Sequence, residues 1–269
     1  MRGELHLLII GEKLNSTIPQ IRQAIKDKDR IFIQRLAREQ AEAGADFLDI
    51  NTAMEDEVED MQWVVETVQE AVNTPLCIDS TNPAAIKRGL ESIQKGRAMI
   101  NSISLEKNRC KDILPLALEY DCLVIALTTD DQGIPKTVDE RLRITEKLFD
   151  ILAKNSFAPN NLYIDPLVLP VAVDSRNADI FFQSLVRIKS EFQAKTVSGL
   201  SNVSHSLPHR HLLNRYFLAI CTVCKMDAAI LDPLDKQIMT ALITADLLAG
   251  NDRLARKYLQ AHRAGDLED

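Results

Sequence analysis

The sequence has little of what marks a disordered, secreted or membrane-spanning chain. Nine glycines and ten prolines in 269 residues are too few for a disordered or collagen-like protein. The five cysteines are odd in number and scattered. They form no disulfide framework and fit a reduced, cytoplasmic protein. Long hydrophobic runs are absent. The first apolar stretch, residues 5–10, is too short for a signal-peptide core or a membrane span. Basic charge is scarce as well. Acidic residues number 39 against 32 basic ones, a formal charge of −7, so the basic footprint of a general nucleic-acid binder is missing. No Gly-, Ser- or Pro-rich linker and no low-complexity tract divides the chain.

What the sequence does have is a repeating unit. Short runs rich in Val, Ile and Leu recur at 7–11, 47–50, 76–79, 98–101, 123–127, 162–165, 196–200 and 228–231. They lack strict alternation, as buried parallel strands do. Amphipathic helices lie between them. Met61, Val64, Val65, Val68 and Val72 keep helical spacing, as do Phe181, Leu185, Ile188 and Phe192, and Ile238, Ala241, Leu242, Ala245 and Leu248. Pro75 stands before the third strand, Asn82-Pro83 reads as an N-cap with Pro at the first helical position, and Gly44 suits a helix C-terminus. Eight strands and eight helices at a spacing of roughly 34 residues make a TIM (β/α)8 barrel the expected fold, a class that takes about 250 residues. A doubly wound open sheet is the alternative. Residues 1–269 are expected to form one domain, with a charged peripheral helix or fraying tail from Asn251.

Barrel chemistry sits where strands end. Those positions carry Glu12, Asn15, Asp49, Asn51, Asp79, Ser80, Asn82, Asn101, Ser102, Thr128, Asp165, Ser201, Asn202 and Asp232. For Asp49, Ser80 and Asp232 a helix cap and a site role are equally good readings. Asp79, Asn101, Asp165 and Asn202 together exceed what caps require. No Gly-rich turn follows strands seven and eight, which argues against a phosphate cradle. Lys13 is the one lysine at a strand's C-terminal end, and Lys195 falls on the opposite face. A Schiff-base aldolase is therefore poorly supported. His205, His209 and His211 share a loop without a completing ligand set, so no bound metal is expected. Cys221 and Cys224 read as helix packing, and the acids Glu55, Asp56, Glu57, Glu59 and Asp60 as a helix N-terminus.

Six strand-end motifs carry a resemblance. They are Ile10-Gly11-Glu12-Lys13-Leu14-Asn15, Leu48-Asp49-Ile50-Asn51, Cys77-Ile78-Asp79-Ser80, Met99-Ile100-Asn101-Ser102, Tyr163-Ile164-Asp165-Pro166 and Gly199-Leu200-Ser201-Asn202-Val203-Ser204. In this order they resemble the methyltetrahydrofolate:corrinoid protein methyltransferases among the pterin-binding methyltransferases. The resemblance implies a barrel, usually a homodimer, that takes tetrahydrofolate or 5-methyltetrahydrofolate as substrate. It places Asp79, Asn101 and Asp165 on the pterin ring, Asn202 near N5 as the catalytic residue, and Glu12, Asn15 and Arg210 around the pocket. His205 ranks below Asn202 as a proton donor.

The residue chemistry suits that role on its own terms. A pterin presents an N–H and an amino group side by side, and an acceptor-only carboxylate takes both hydrogens. Asn supplies a donor and an acceptor from one side chain. The Asp-x-His-x-x-Gly cobalamin motif is absent, so the corrinoid is expected on a separate protein, docked transiently with the barrel mouth near residues 204–211. The implied reaction moves a methyl group between corrinoid cobalt and N5, with a lean toward methylcorrinoid to tetrahydrofolate. A dihydropteroate-synthase-like enzyme and a non-catalytic folate-binding barrel are the alternatives. The first would need a Lys-rich and Ser-x-Arg-x-His set that this sequence lacks.

Overall fold

Eight parallel strands hydrogen-bond in chain order, and the eighth pairs with the first to close a barrel. Closure excludes the open doubly wound sheet. The computed structural model describes residues 7–268. Leu5 and His6 of the first apolar run lie outside them, as does Asp269. The strands are β1 (Leu8–Asn15), β2 (Phe47–Asn51), β3 (Leu76–Asp79), β4 (Met99–Leu105), β5 (Leu123–Asp130), β6 (Leu162–Asp165), β7 (Lys195–Gly199) and β8 (Ala228–Leu231). All eight expected strands are present. Strands β1, β4 and β5 run several residues further than the hydrophobic runs suggested. Register shifts between Gly11 and Leu14 and between Asn101 and Leu105 account for the difference in β1 and β4. Polar residues continue those strands through bulges, where an apolar pattern no longer marks them.

Ten α-helices stand among the described residues. They are α1 (Pro19–Lys26), α2 (Arg30–Glu42), α3 (Glu57–Gln69), α4 (Pro83–Ser92), α5 (Arg109–Glu119), α6 (Val138–Lys154), α7 (Asn177–Phe192), α8 (Arg210–Val223), α9 (Lys236–Leu248) and α10 (Arg256–Ala264). Of the two beyond the eight between strands, one is a second helix after β1 and the other is α10, the peripheral helix expected from Asn251, which is docked and not frayed. Ala261 is buried, and the Thr240 hydroxyl of α9 accepts from the Glu268 N–H at 2.9 Å. Two anticipated boundaries hold. Asn82 accepts from the Ala84 N–H ahead of Pro83, and Gly44 takes the positive φ of 97° just past α2.

The barrel interior explains where the site must be. One buried residue from each strand forms a closed apolar layer: Ile10, Phe47, Cys77, Met99, Ile125, Tyr163, Val197 and Ala228. Side chains of a strand return to the same face every second residue. The next inward layer is therefore Glu12, Asp49, Asp79, Asn101, Leu127, Asp165, Gly199 and Ile230. Five of these eight carry a carboxylate or an amide. A greasy plug thus closes the barrel from below, and a polar ring lies directly on it at the C-terminal mouth.

Candidate functional site

The ring is held by hydrogen bonds that leave some acceptor capacity free. The Asn51 amide donates to Asp79 Oδ2 at 2.9 Å. Asn51 is itself fixed, because its Oδ1 accepts from the Ser16 hydroxyl at 3.1 Å and from the Ala53 N–H at 3.2 Å. Arg109 lies close enough for its charge to favour ionised Asp79. Its Nε donates to the Ser102 carbonyl at 2.9 Å. Burial still pushes Asp79 above the usual carboxylate range. Asp49 sits deeper. The Asn101 amide donates to its Oδ1 at 3.4 Å, and burial, with Asp79 adding to it, pushes Asp49 well above the carboxylate range. Asp49 is therefore a buried partner of Asn101 and not a helix cap.

On the opposite side, Asp165 is buried. Its Oδ1 accepts from the Leu167 N–H at 2.7 Å. Burial pushes its carboxyl to about 7. Ser80 and Asn82 are tied to the acidic run through one member only. The Ser80 hydroxyl donates to Glu57 Oε1 at 2.5 Å and the Asn82 amide to Oε2 at 3.2 Å.

Glu12, Asn15 and Arg210 come together in a cleft of about 390 Å³ between β1 and β8, whose walls include Lys13, His211, Asp232 and Asp235. Asp79, Asn101, Asp165 and Asn202 stand at the same mouth without lining that cleft. Lys13 pairs with Asp232 at 2.9 Å, and Asp232 also accepts from the Leu234 N–H at 3.0 Å. Gln40 sets the β1 bulge: its Oε1 accepts from the Lys13 N–H at 3.0 Å. A Cβ on Gly11 would come within 2.6 Å of that oxygen, so a larger residue there would push the Gln40 amide aside. Arg210 holds the loop after β7, donating to the Ser201 carbonyl at 2.8 Å and the Ser204 hydroxyl at 3.2 Å. Asn15 fixes its own turn by accepting from the Thr17 N–H at 2.9 Å.

Asn202 is exposed and ends a single 3-10 turn, Leu200–Asn202, that leaves β7 at the mouth. A Cβ on Gly199 would lie 3.7 Å from its amide nitrogen. His205 and His209 are exposed. His211 lies 2.8 Å from Asp235. Among the described residues no three His, Cys, Asp or Glu side chains group as a metal-ligand set. Cys221 is buried and Cys224 half-buried, both free. Asn51 was among the strand-end positions, without a role of its own. Gln40 and Arg109 are the positioning residues that strand-end logic missed, because they sit on helices and carry no local signal.

Glu12 gives a test of these electrostatics. Burial, then Asp232, pushes its carboxyl from 4.5 up to about 7. Charging it costs the folded state. That cost is absent below about pH 4.5 and complete above about pH 7. Glu12→Gln removes it. The variant is expected to match the parent Tm near pH 4.5 and to exceed it by a few degrees at pH 8. An equal difference at both pH values would contradict the assignment.

The model of the family described as "Pterin binding enzyme" matches residues 12–232. The methylcorrinoid:tetrahydrofolate methyltransferase of Eubacterium limosum is 39% identical over 266 residues, 97% of this chain and 98% of the relative. The methionine synthase of Mycobacterium tuberculosis is 30% identical over 240 residues, 83% of this chain but 20% of that much longer protein. Among solved structures, dihydropteroate synthase from Xanthomonas albilineans in complex with 7,8-dihydropteroate superposes with a TM-score of 0.70 at 16% identity, covering 97% of this chain and 95% of that one. The Yersinia pestis dihydropteroate synthase with a sulfonamide drug gives 0.68 at 13% identity, covering 91% and 94%. At such identities the likeness concerns the fold.

Proposed function

The chain belongs to the pterin-binding enzymes, and from that premise we propose that it moves a methyl group between the cobalt of a corrinoid protein and N5 of tetrahydrofolate. The observation that carries this is the inward ring of Glu12, Asp79, Asn101 and Asp165 seated on an apolar layer at one barrel mouth. In this reading Asp165 takes the pterin's adjacent N–H and amino hydrogens, and Asp79 and Asn101 meet its other polar edges. The ring would be roofed toward β1 and β8 by the cleft of Glu12, Asn15 and Arg210.

The favoured direction is methylcorrinoid to tetrahydrofolate. In it the Co–C bond breaks with both electrons staying on cobalt. The N5 lone pair forms the new N–C bond, and the N5 proton leaves. Asn202 is the residue proposed to face N5. Its amide can donate to a neutral nitrogen or accept from a protonated one by reorienting, a preorganised polar contact. A dihydropteroate-synthase-like reaction is disfavoured because the chain lacks the Lys-rich and Ser-x-Arg-x-His set that its pyrophosphate substrate would need. The test is methylcobalamin with tetrahydrofolate, and 5-methyltetrahydrofolate with reduced cobalamin, each followed by the cobalt spectrum. The ratio of initial rates reports the favoured direction.

The corrinoid protein is proposed to dock transiently on the mouth around residues 204–211, where His205 and His209 are exposed. His205→Glu is expected to raise KM for the protein-borne corrinoid about tenfold, a loss of roughly 1.4 kcal/mol. Turnover with free cobalamin should stay unchanged. An unaltered KM would place the docking face elsewhere. The chain is further proposed to act as a homodimer in the cytoplasm. Leu212, Tyr216, Ile220 and Val223 form an exposed apolar stripe at helical spacing along α8, a face suited to a second copy. Among the described residues no helix is long and apolar enough to cross a membrane.

A further inference from the structure

Asn51 closes β2, and the strand register sets it between Asn15 of β1 and Asp79 of β3. Its side-chain Oδ1 accepts from the Ser16 hydroxyl at 3.1 Å and from the Ala53 N–H at 3.2 Å. The Asn51 backbone carbonyl also accepts from the Ser16 N–H at 3.0 Å, so the two residues are joined twice. These donors decide which way the amide faces. Turned over, it would set its NH2 group against the Ala53 N–H and its oxygen against the Asp79 carboxylate. As it stands, Nδ2 donates to Asp79 Oδ2 at 2.9 Å. An oxygen that receives this hydrogen is an acceptor and carries no proton toward Asn51.

We propose that Asn51 is a positioning residue of the pterin site, its amide pinned by Ser16 and Ala53 so that it holds the Asp79 carboxylate in the ring as an acceptor for the pterin. This rests on the methyltransferase reading of the site. The other groups facing Asp79 do different work. Arg109 of α5 favours its ionised form by charge, but the Arg109 hydrogen bonds run to Ser80 and Ser102. Glu57 of α3 opposes the ionised form, and Asp49 and Asp79 disfavour each other's charge. Cys77 of β3 is buried, and its thiol is pushed up and stays neutral. Asn51 is thus the hydrogen-bond donor to the Asp79 side chain among the described residues. Burial works against the charge of Asp79, so this one donor bears on both its place and its ionisation.

The experiment is a double-mutant cycle on tetrahydrofolate affinity, read by calorimetry for the parent, Asn51→Ala, Asp79→Ala and the double variant. Asn51→Ala is expected to weaken binding about tenfold when Asp79 is present, the scale of one hydrogen bond to a charged group. Once Asp79 is gone, it should weaken binding by less than about twofold. The same loss in both backgrounds would mean that Asn51 acts by packing and would overturn the proposal. A loss below about twofold with Asp79 present would overturn it as well. Ser16→Ala removes one of the pins and carries the test if Asn51→Ala fails to fold. It should cost about threefold, again only with Asp79 present. If Asp79→Ala binds too weakly to titrate, NMR of carboxyl-labelled aspartates reads the same contact without ligand. Asn51→Ala should then move the Asp79 titration to higher pH, because the lost donor favours the charged form. An unmoved titration would overturn the proposal. A parent protein that binds no tetrahydrofolate would overturn the methyltransferase reading, and the proposal with it.

Discussion

Asp165→Ala is expected to weaken tetrahydrofolate binding about 10³-fold, the largest effect of any single substitution at this site. Asp165 is buried in the polar layer at the barrel mouth. One of its oxygens accepts from the Leu167 N–H, and the carboxylate retains lone pairs for a ligand. A pterin bound there would bury its N–H and amino group against it. Truncation leaves both donors unpaired where water cannot easily reach them. Each such loss costs about 1–3 kcal/mol, and a total near 4 kcal/mol corresponds to about 10³ in Kd. Titration of tetrahydrofolate by calorimetry checks this. A loss below tenfold would show that Asp165 does not carry the pterin.

Asn202→Ala is expected to behave differently, lowering kcat about 10²-fold while Kd for tetrahydrofolate changes by no more than about threefold. That magnitude is typical of removing one preorganised donor from a transition state. The asymmetry follows from position. Asn202 stands exposed at the rim, at the end of the turn leaving β7, while Asp79, Asn101 and Asp165, in the layer below, are the residues proposed to hold the pterin. Its amide would contact N5, where bonds change, and not the edge that fixes the ring. Pre-steady-state methyl transfer with saturating substrates separates the two terms. Equal losses in kcat and affinity would assign Asn202 to binding alone.

Much of this arrangement was legible in the residues, for a physical reason. Buried parallel strands read as continuous apolar runs, and a functional barrel ends them abruptly in Asp, Asn or Ser. The transitions at Ile78-Asp79, Ile100-Asn101 and Ile164-Asp165 therefore mark both the strands and the ring. The extensions of β1 and β4 were hidden because Glu12, Lys13, Ser102 and Ser104 continue those strands through bulges. Asp49 left a cap and a site role open, since a carboxylate after an apolar run suits either. Only the pleat, which puts Asp49 one layer above Phe47, decides between them. Gln40 and Arg109 lie on helices among ordinary polar residues. Their roles depend on burial and on reach across the barrel, which no local pattern encodes. The C-terminal segment left a peripheral helix and a fraying tail open because its charge is high; Ala261 and the Thr240 contact decide for a docked helix.

The central claim is that this ring of acids and amides serves methyl transfer and not folate storage. The direct measurement is a single-turnover reaction of enzyme, tetrahydrofolate and methylcobalamin under anaerobic conditions. The cobalt spectrum and the folate product are followed together. The proposed function predicts loss of the methylcobalamin bands, with one 5-methyltetrahydrofolate formed for each cobalamin demethylated. Tetrahydrofolate that binds tightly while the cobalt spectrum stays unchanged, in this direction and in the reverse, would contradict it and leave a folate-binding barrel without catalysis.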